Sequence, residues 1–289
     1  MTDFNSIIKI ARPTQYIKNF FIFLPIFFDL RINNIDLIFN CLIAFVAFSA
    51  TASGIYVLND YCDIKDDKKH PKKKFRPIAS GKINKLNAKF ISIIFIVIGF
   101  TLMFTLSLNA LITLFAYTML NIFYSLYLKH FAIIDITIIA LGFVIRVLIG
   151  SIVTGIELSM WIIIMTFLLA LFLALAKRRS DVLIFTSTGK IMRKVVKGYT
   201  LQFLDISLAM ISSIVIVAYI VFITQGVNQN GYSKHLYLTT FFVIIGFLRY
   251  FQAIFVFNKS DAPEMIVLKD YFFQLILISW VVTYYFIIY

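Results

Sequence analysis

Asn59, Asp60, Asp63 and Asp67 stand at the end of an apolar run, within Asn59-Asp60-Tyr61-Cys62-Asp63-Ile64-Lys65-Asp66-Asp67. Positions 60, 63 and 67 follow i, i+3, i+7 spacing, which puts three carboxylates on one face of a helix. Carboxylates that close repel one another and stay ionised together only beside a neutralising cation. Oxygen ligands of this kind suit Mg²⁺, which keeps part of its water and bridges to phosphates. Asp66 points elsewhere and is expected in solvent. A solvated helix end is the plain alternative. At the edge of a bilayer, however, such a cluster is expensive and reads as a functional site.

Cations follow in two places. Lys72-Lys73-Lys74 and Arg76 come directly after the aspartates, and Lys177-Arg178-Arg179 closes a later apolar run. Guanidinium and ammonium groups suit phosphate oxygens, although the second group also serves as an ordinary span anchor. Arg146 falls inside an apolar run and must be paired or face a wet cavity. It is expected to reach that cavity or Asp135, with a purely structural ion pair the competing reading. Arg249 is similar, with a structural role favoured. The two cysteines, Cys41 and Cys62, have no metal-ligand spacing and read as packing residues.

The elements that must hold these groups are membrane spans. Of 289 residues, 61% are hydrophobic and 14% charged, and mean hydropathy is +0.92, far from the composition of soluble domains. The apolar runs are continuous, which excludes a β-barrel. About nine spans are expected, centred on Phe20–Phe28, Leu37–Leu58, Phe90–Leu108, Ala110–Leu128, Ile133–Ile156, Met160–Ala176, Phe203–Thr224, Leu236–Phe257 and Phe272–Ile288. Pro25 predicts a kink in the first. No cleavable signal peptide is expected. The whole chain, 1–289, reads as one transmembrane domain with cytoplasmic loops at about 60–89 and 177–202. Net charge is +13, and its placement follows the positive-inside bias, so no nucleic-acid partner is implied. Basic residues crowd the N-terminus and every even connection, which predicts a cytoplasmic N-terminus, an external C-terminus and a site facing the cytoplasm.

The aspartates continue into His70-Pro71 and then Arg76-Pro77-Ile78-Ala79-Ser80-Gly81. This run resembles the UbiA superfamily of intramembrane prenyltransferases. Further segments resemble its decaprenyl-phosphate phosphoribosyltransferase branch: Arg12-Pro13-x-Gln15-x-x-Lys18-Asn19, Tyr124-Ser125-x-x-Leu128-Lys129 with Asp135, Gly142-Phe143-Val144-x-Arg146, Leu171 to Arg179, Pro263-Glu264 and Lys269-Asp270. The resemblance implies an all-α, nine-helix membrane fold around a cytoplasm-facing polar cavity in a bacterial inner membrane. It also implies Mg²⁺ on Asp60, Asp63 and Asp67, with Gln15, Lys18, Asn19, Asn59, Lys73, Arg76, Tyr124, Lys129, Arg146, Lys177 and Arg178 at the substrates. His70 is expected near the site as a loop residue. Ordinary prenyltransferases carry a second Asp-rich motif after span six, where this chain has Lys177-Arg178-Arg179-Ser180-Asp181. That exchange of carboxylates for cations suits phosphoribosyl pyrophosphate as donor and a polyprenyl phosphate as acceptor. Transfer of a prenyl group from its diphosphate to an aromatic acceptor is the alternative. A lipid or ion transporter is the alternative of another class, but no paired repeat with broken helices is evident.

Overall fold

The computed structural model describes residues 4–69, 73–189, 194–230, 233–257 and 269–288. Those residues are helical, with no strand among them, and eight of the helices are long and apolar enough to cross a membrane. The protein is an integral membrane protein. The chain divides into two compact units, Met1–Ser159 and Met160–Tyr289. His70, Lys72 and Pro263-Glu264 lie outside the described residues.

The first unit contains α1 (Phe4–Ala11), a 3-10 helix (Pro13–Phe23), α2 (Leu24–Phe28), α3 (Ile35–Cys62), α4 (Ile64–Lys69), α5 (Lys85–Phe104), α6 (Leu108–Leu126) and α7 (Ile134–Thr154). Short 3-10 turns lie at Lys73–Phe75 and Leu128–His130. Local chemistry starts the long helices. The Asn34 side chain accepts from the backbone of Asp36 and Leu37 to cap α3, and Asn84 accepts from Asn87 N–H to cap α5, satisfying donors that a helix start leaves unpaired. α3 and α5 then pack closely. A Cβ on Gly99 would overlap Thr51 and the Ala47 carbonyl, so a small residue there lets the backbones approach, as at membrane helix contacts generally.

The first expected span is not one regular helix. Residues 13–23 form a 3-10 helix of eleven residues and α2 adds five, with Pro25 in its first turn. At about 2.0 Å and 1.5 Å per residue the two together reach roughly 30 Å, the thickness of a hydrocarbon core. The 3-10 form has a physical cause in its neighbour. Three 3-10 residues advance about 6 Å, as do four α-helical residues, so groups three apart on one meet groups four apart on the other. Tyr16 meets Ser53 at 2.8 Å, and Asn19 donates to Ser49 at 2.8 Å. The lower end of this ladder rests on α7, where a Cβ on Gly150 would strike the Ile22 carbonyl.

The second unit contains α8 (Met160–Thr188), a 3-10 turn (Lys194–Gly198), α9 (Leu201–Asn230), a 3-10 turn (Lys234–Tyr237), α10 (Leu238–Phe251) running into a π-helical turn (Gln252–Val256), and α11 (Tyr271–Ile288). The helix expected to stop at Ala176 continues to Thr188, so Lys177, Arg178 and Arg179 lie on a helix and not in a loop. Arg178 and Arg179 are buried there. Once their charges are matched by Asp181 and Asp205, the helix has no reason to end.

Candidate active site

α3 ends one residue before Asp63, yet the helical hydrogen-bond pattern passes through. Asp63 N–H donates to the Asn59 carbonyl at 3.0 Å, and Asp67 N–H donates to the Asp63 carbonyl at 2.8 Å. The three carboxylates therefore stay on one side, as their spacing predicts. Asp60 and Asp67 are buried while Asp66 is exposed.

Three cations from three other elements reach them. Arg12, between α1 and the 3-10 helix, donates through Nη2 to Asp60 Oδ1 and lies over the Tyr56 ring. Arg76 Nη1 bridges Asp60 Oδ1 at 2.9 Å and Asp67 Oδ2 at 2.8 Å. Lys129, in the turn after α6, donates to Asp63 Oδ1. Asn59 donates to the other Asp63 oxygen at 3.2 Å. Each arginine holds its carboxylates through one nitrogen, leaving other donors of the guanidinium fork without a bond among the described residues. Low-dielectric surroundings make such compensation obligatory, since an unpaired buried carboxylate costs several kcal/mol.

Apolar packing brings these cations in. Ile78 and Ile83 of the turn carrying Arg76 pack with Ile10 of α1, Val57 of α3 and Ala88 of α5. One small core thus anchors the start of the chain and the Arg76 turn to α3. Arg12 itself has φ 54 and ψ 60, a left-handed conformation that a non-glycine residue rarely adopts. It persists because both sides are fixed, α1 by that core and the 3-10 helix by the Ser49 and Ser53 ladder.

No three carboxylate, thiol or imidazole groups among the described residues are gathered as a metal cage. The donor set nevertheless fits Mg²⁺. Asp60 Oδ2 and Asp67 Oδ1 accept no bond among the described residues, they are hard oxygen donors, and Mg²⁺ is commonly held by one or two carboxylates plus ligand phosphates rather than by an all-protein cage.

The structure therefore brings together Asn59, Asp60, Asp63, Asp67, Arg76 and Lys129. Tyr124 is half-buried near the end of α6, and Lys73 half-buried one turn before Arg76. Gln15 and Lys18 are half-buried on the 3-10 helix between Arg12 and Asn19. Asn19 and Arg146 belong to a deeper network. Arg146 donates to Asn19 Oδ1 at 2.8 Å, to the Gly142 carbonyl at 2.6 Å and to Tyr117 OH at 3.3 Å, among the rings of Phe48, Tyr117 and Phe143. Of the partners expected for it, Asp135 is not met. Eleven residues place the two on one face of α7 but about 16 Å apart along its axis. Ser49, the partner of Asn19, is equally far from Asp60 along α3. Lys177 and Arg178 belong to the second unit, where Arg178 donates to Asp181 at 2.9 Å.

Arg12, read from the sequence only as a topology cation and part of a family motif, and Tyr16, Ser49 and Ser53 were not expected at the site. A signal was present: Ser49, Ser53, Tyr56 and Asp60 form a polar stripe at i, i+4, i+7, i+11 down a mostly apolar helix.

Comparison with known proteins follows the same lines. Residues 30–277 match the UbiA prenyltransferase family. The decaprenyl-phosphate phosphoribosyltransferase of Corynebacterium glutamicum is 30% identical over 96% of this chain and 85% of its own length. The enzyme of that name from Mycobacterium tuberculosis is 28% identical over 96% of this chain and 92% of its own. Among solved structures, a UbiA homologue from Archaeoglobus fulgidus bound to DMAPP and Mg²⁺ superposes with a TM-score of 0.73 at 16% identity, covering 98% of both chains.

Proposed function

Because the chain belongs to the UbiA prenyltransferase family, we propose that it is a membrane phosphoribosyltransferase that moves 5-phosphoribose from phosphoribosyl pyrophosphate to a polyprenyl phosphate and releases pyrophosphate. One observation carries this reading. Three carboxylates and three cations from separate elements meet at one site, in a chain matched over nearly its whole length by phosphoribosyltransferases.

Arg12, Arg76 and Lys129 bind phosphate oxygens, with Lys73, Asn59, Gln15, Lys18 and Tyr124 around them. Asp60, Asp63 and Asp67 hold Mg²⁺, which when bound supplies Lewis-acid stabilisation of the charge on the departing pyrophosphate. The bond from ribose C1 to the pyrophosphate oxygen breaks as a bond from C1 to a lipid phosphate oxygen forms on the opposite face, inverting C1. The acceptor oxygen is already anionic, so no residue has to remove a proton. The chain's own contribution is to bind and orient two anions that otherwise repel. Lys177 and Arg178 of the second unit are proposed to bind phosphate. Arg146 and Asn19 hold the 3-10 helix against α3 and α7. The positive-inside bias of the basic connections supports a site on the cytoplasmic side.

The test is transfer itself. Purified protein in detergent, given Mg²⁺, radiolabelled phosphoribosyl pyrophosphate and a polyprenyl phosphate, is expected to move label into the organic phase. EDTA or Asp63→Ala abolishes it. Labelled prenyl diphosphate consumed in its place would replace this reading with prenyl transfer.

A further inference from the structure

Within the first unit, the charges at the end of α3 balance. Asp60, Asp63 and Asp67 supply three negative charges; Arg12, Arg76 and Lys129 supply three positive ones, and each pairing is direct. In the arginine pairings the two partners differ in depth. The Asp60 and Asp67 side chains are 2% and 3% exposed, those of Arg12 and Arg76 25% and 26%. An arriving anion meets Arg12 and Arg76 before Asp60 and Asp67, whereas at the third pair Asp63, 25% exposed, lies nearer the surface than Lys129 at 14%. An arriving metal ion finds the same carboxylates already held, Asp60 by two guanidinium groups at once.

We infer that Arg12, Arg76 and Lys129 are exchangeable counter-ions, and that a divalent metal and a diphosphate can enter this site tightly only together. The inference rests on the proposed reading of the site as a metal–diphosphate site and adds how it is loaded. A metal ion alone, taken on the open Asp60 Oδ2 and Asp67 Oδ1, would add two positive charges beside Arg12 and Arg76 with no anion to balance them. A diphosphate alone would draw the cations away and leave buried carboxylates bare. Either outcome strands charge at low dielectric, which costs several kcal/mol per group. When both arrive, carboxylates turn to metal and cations to phosphate oxygens, and no charge loses its partner. The single-nitrogen grip of each arginine suits this exchange, because further guanidinium donors are already available for the bidentate contacts that phosphate favours.

Linkage makes the consequence reciprocal: each ligand must raise the affinity of the other by the same factor. Arg12 should then oppose metal alone and favour diphosphate, so that its loss changes the two affinities in opposite directions. A purely structural Arg12 has no such signature.

Dual-label equilibrium dialysis of the full-length protein in detergent tests this, with radioactive Mn²⁺ as the metal and radioactive inorganic pyrophosphate as the diphosphate. In the wild type, saturating pyrophosphate is expected to tighten retained Mn²⁺ by roughly tenfold or more. Arg12→Gln should bind Mn²⁺ alone more tightly and pyrophosphate with Mn²⁺ more weakly, each by several-fold. Lys129→Gln, from another element, should repeat the pattern if Arg12→Gln fails to fold. Wild-type protein that binds Mn²⁺ equally well with and without pyrophosphate would overturn the inference while leaving the site reading intact. So would variants whose two affinities fall together or stay unchanged. Wild-type protein that retains no pyrophosphate with Mn²⁺ at all would overturn both.

Discussion

The end of α3 and the Arg249–Asp270 pair of the second unit use the same residue types to different ends. At α3, three carboxylates are shared among three cations; Arg76 serves two aspartates and Asp60 takes two arginines. The Arg249 pair is closed. Arg249 meets Asp270 through Nε and Nη2 at 3.1 and 2.9 Å, donates to Gln252 at 2.7 Å, and lies against Phe257 and Phe272. Arg179 is intermediate: it meets Asp205 through Nε alone at 2.6 Å, shares that carboxylate with no other cation among the described residues, and lies over the Phe255 ring. A fork filled by one carboxylate and flanked by rings has little to offer a ligand. Shared single-nitrogen contacts leave donors over. How the donors are used, more than which residues supply them, separates a structural ion pair from a working site.

The comparison breaks first at Asp60. Asp60→Asn removes the proposed metal ligand and the partner of two arginines, and initial rates of phosphoribosyl transfer should fall by about a thousandfold, near 4 kcal/mol of transition-state stabilisation. Protein that retains most of its activity would show that the shared cluster is only structural. Arg146→Leu should act on stability instead. It leaves Asn19 and Tyr117 short of a buried partner, and thermal unfolding in detergent should register a loss of about 3 kcal/mol. Arg146→Lys is expected to restore little of it, since an ammonium can neither stack among three rings nor present the planar fork.

Asp270→Asn opens a closed pair. A loss of about 2 kcal/mol is expected, with the Mg²⁺ dependence of transfer unchanged per folded molecule; a shift in metal requirement would mean that the second unit's pairs also handle ligand. The smallest effect belongs to Tyr16→Phe. Ser53 keeps its bonds to the Ala11 and Ser49 carbonyls, so roughly 0.5–1 kcal/mol should be lost, seen as a small drop in unfolding temperature.

Hydropathy and spacing made much of this molecule legible in advance. Spans two to nine fall within a few residues of the observed helices, except where α8 and α9 run on. The carboxylates at 60, 63 and 67 share a side because their relation is local and helical. Arg76 and Lys129 were expected at substrate through family resemblance, and the structure puts both directly on the aspartates. The overlong α8 was missed because a buried Arg-Arg pair looks like a span end until its aspartates are seen beside it.

The amino-acid order by itself determined an all-α membrane protein with an acidic face at one helix end, since apolar length and i, i+3, i+7 spacing are properties of consecutive residues. Only the tertiary structure decided which charges meet. Arg12 reaches Asp60 across 48 positions, Lys129 reaches Asp63 across 66, and Arg146 reaches Asn19 across 127. No local period encodes contacts of that range. The 3-10 form of residues 13–23 was decided in the same way: it exists because a neighbouring α-helix presents partners every four residues, and three 3-10 residues cover that distance.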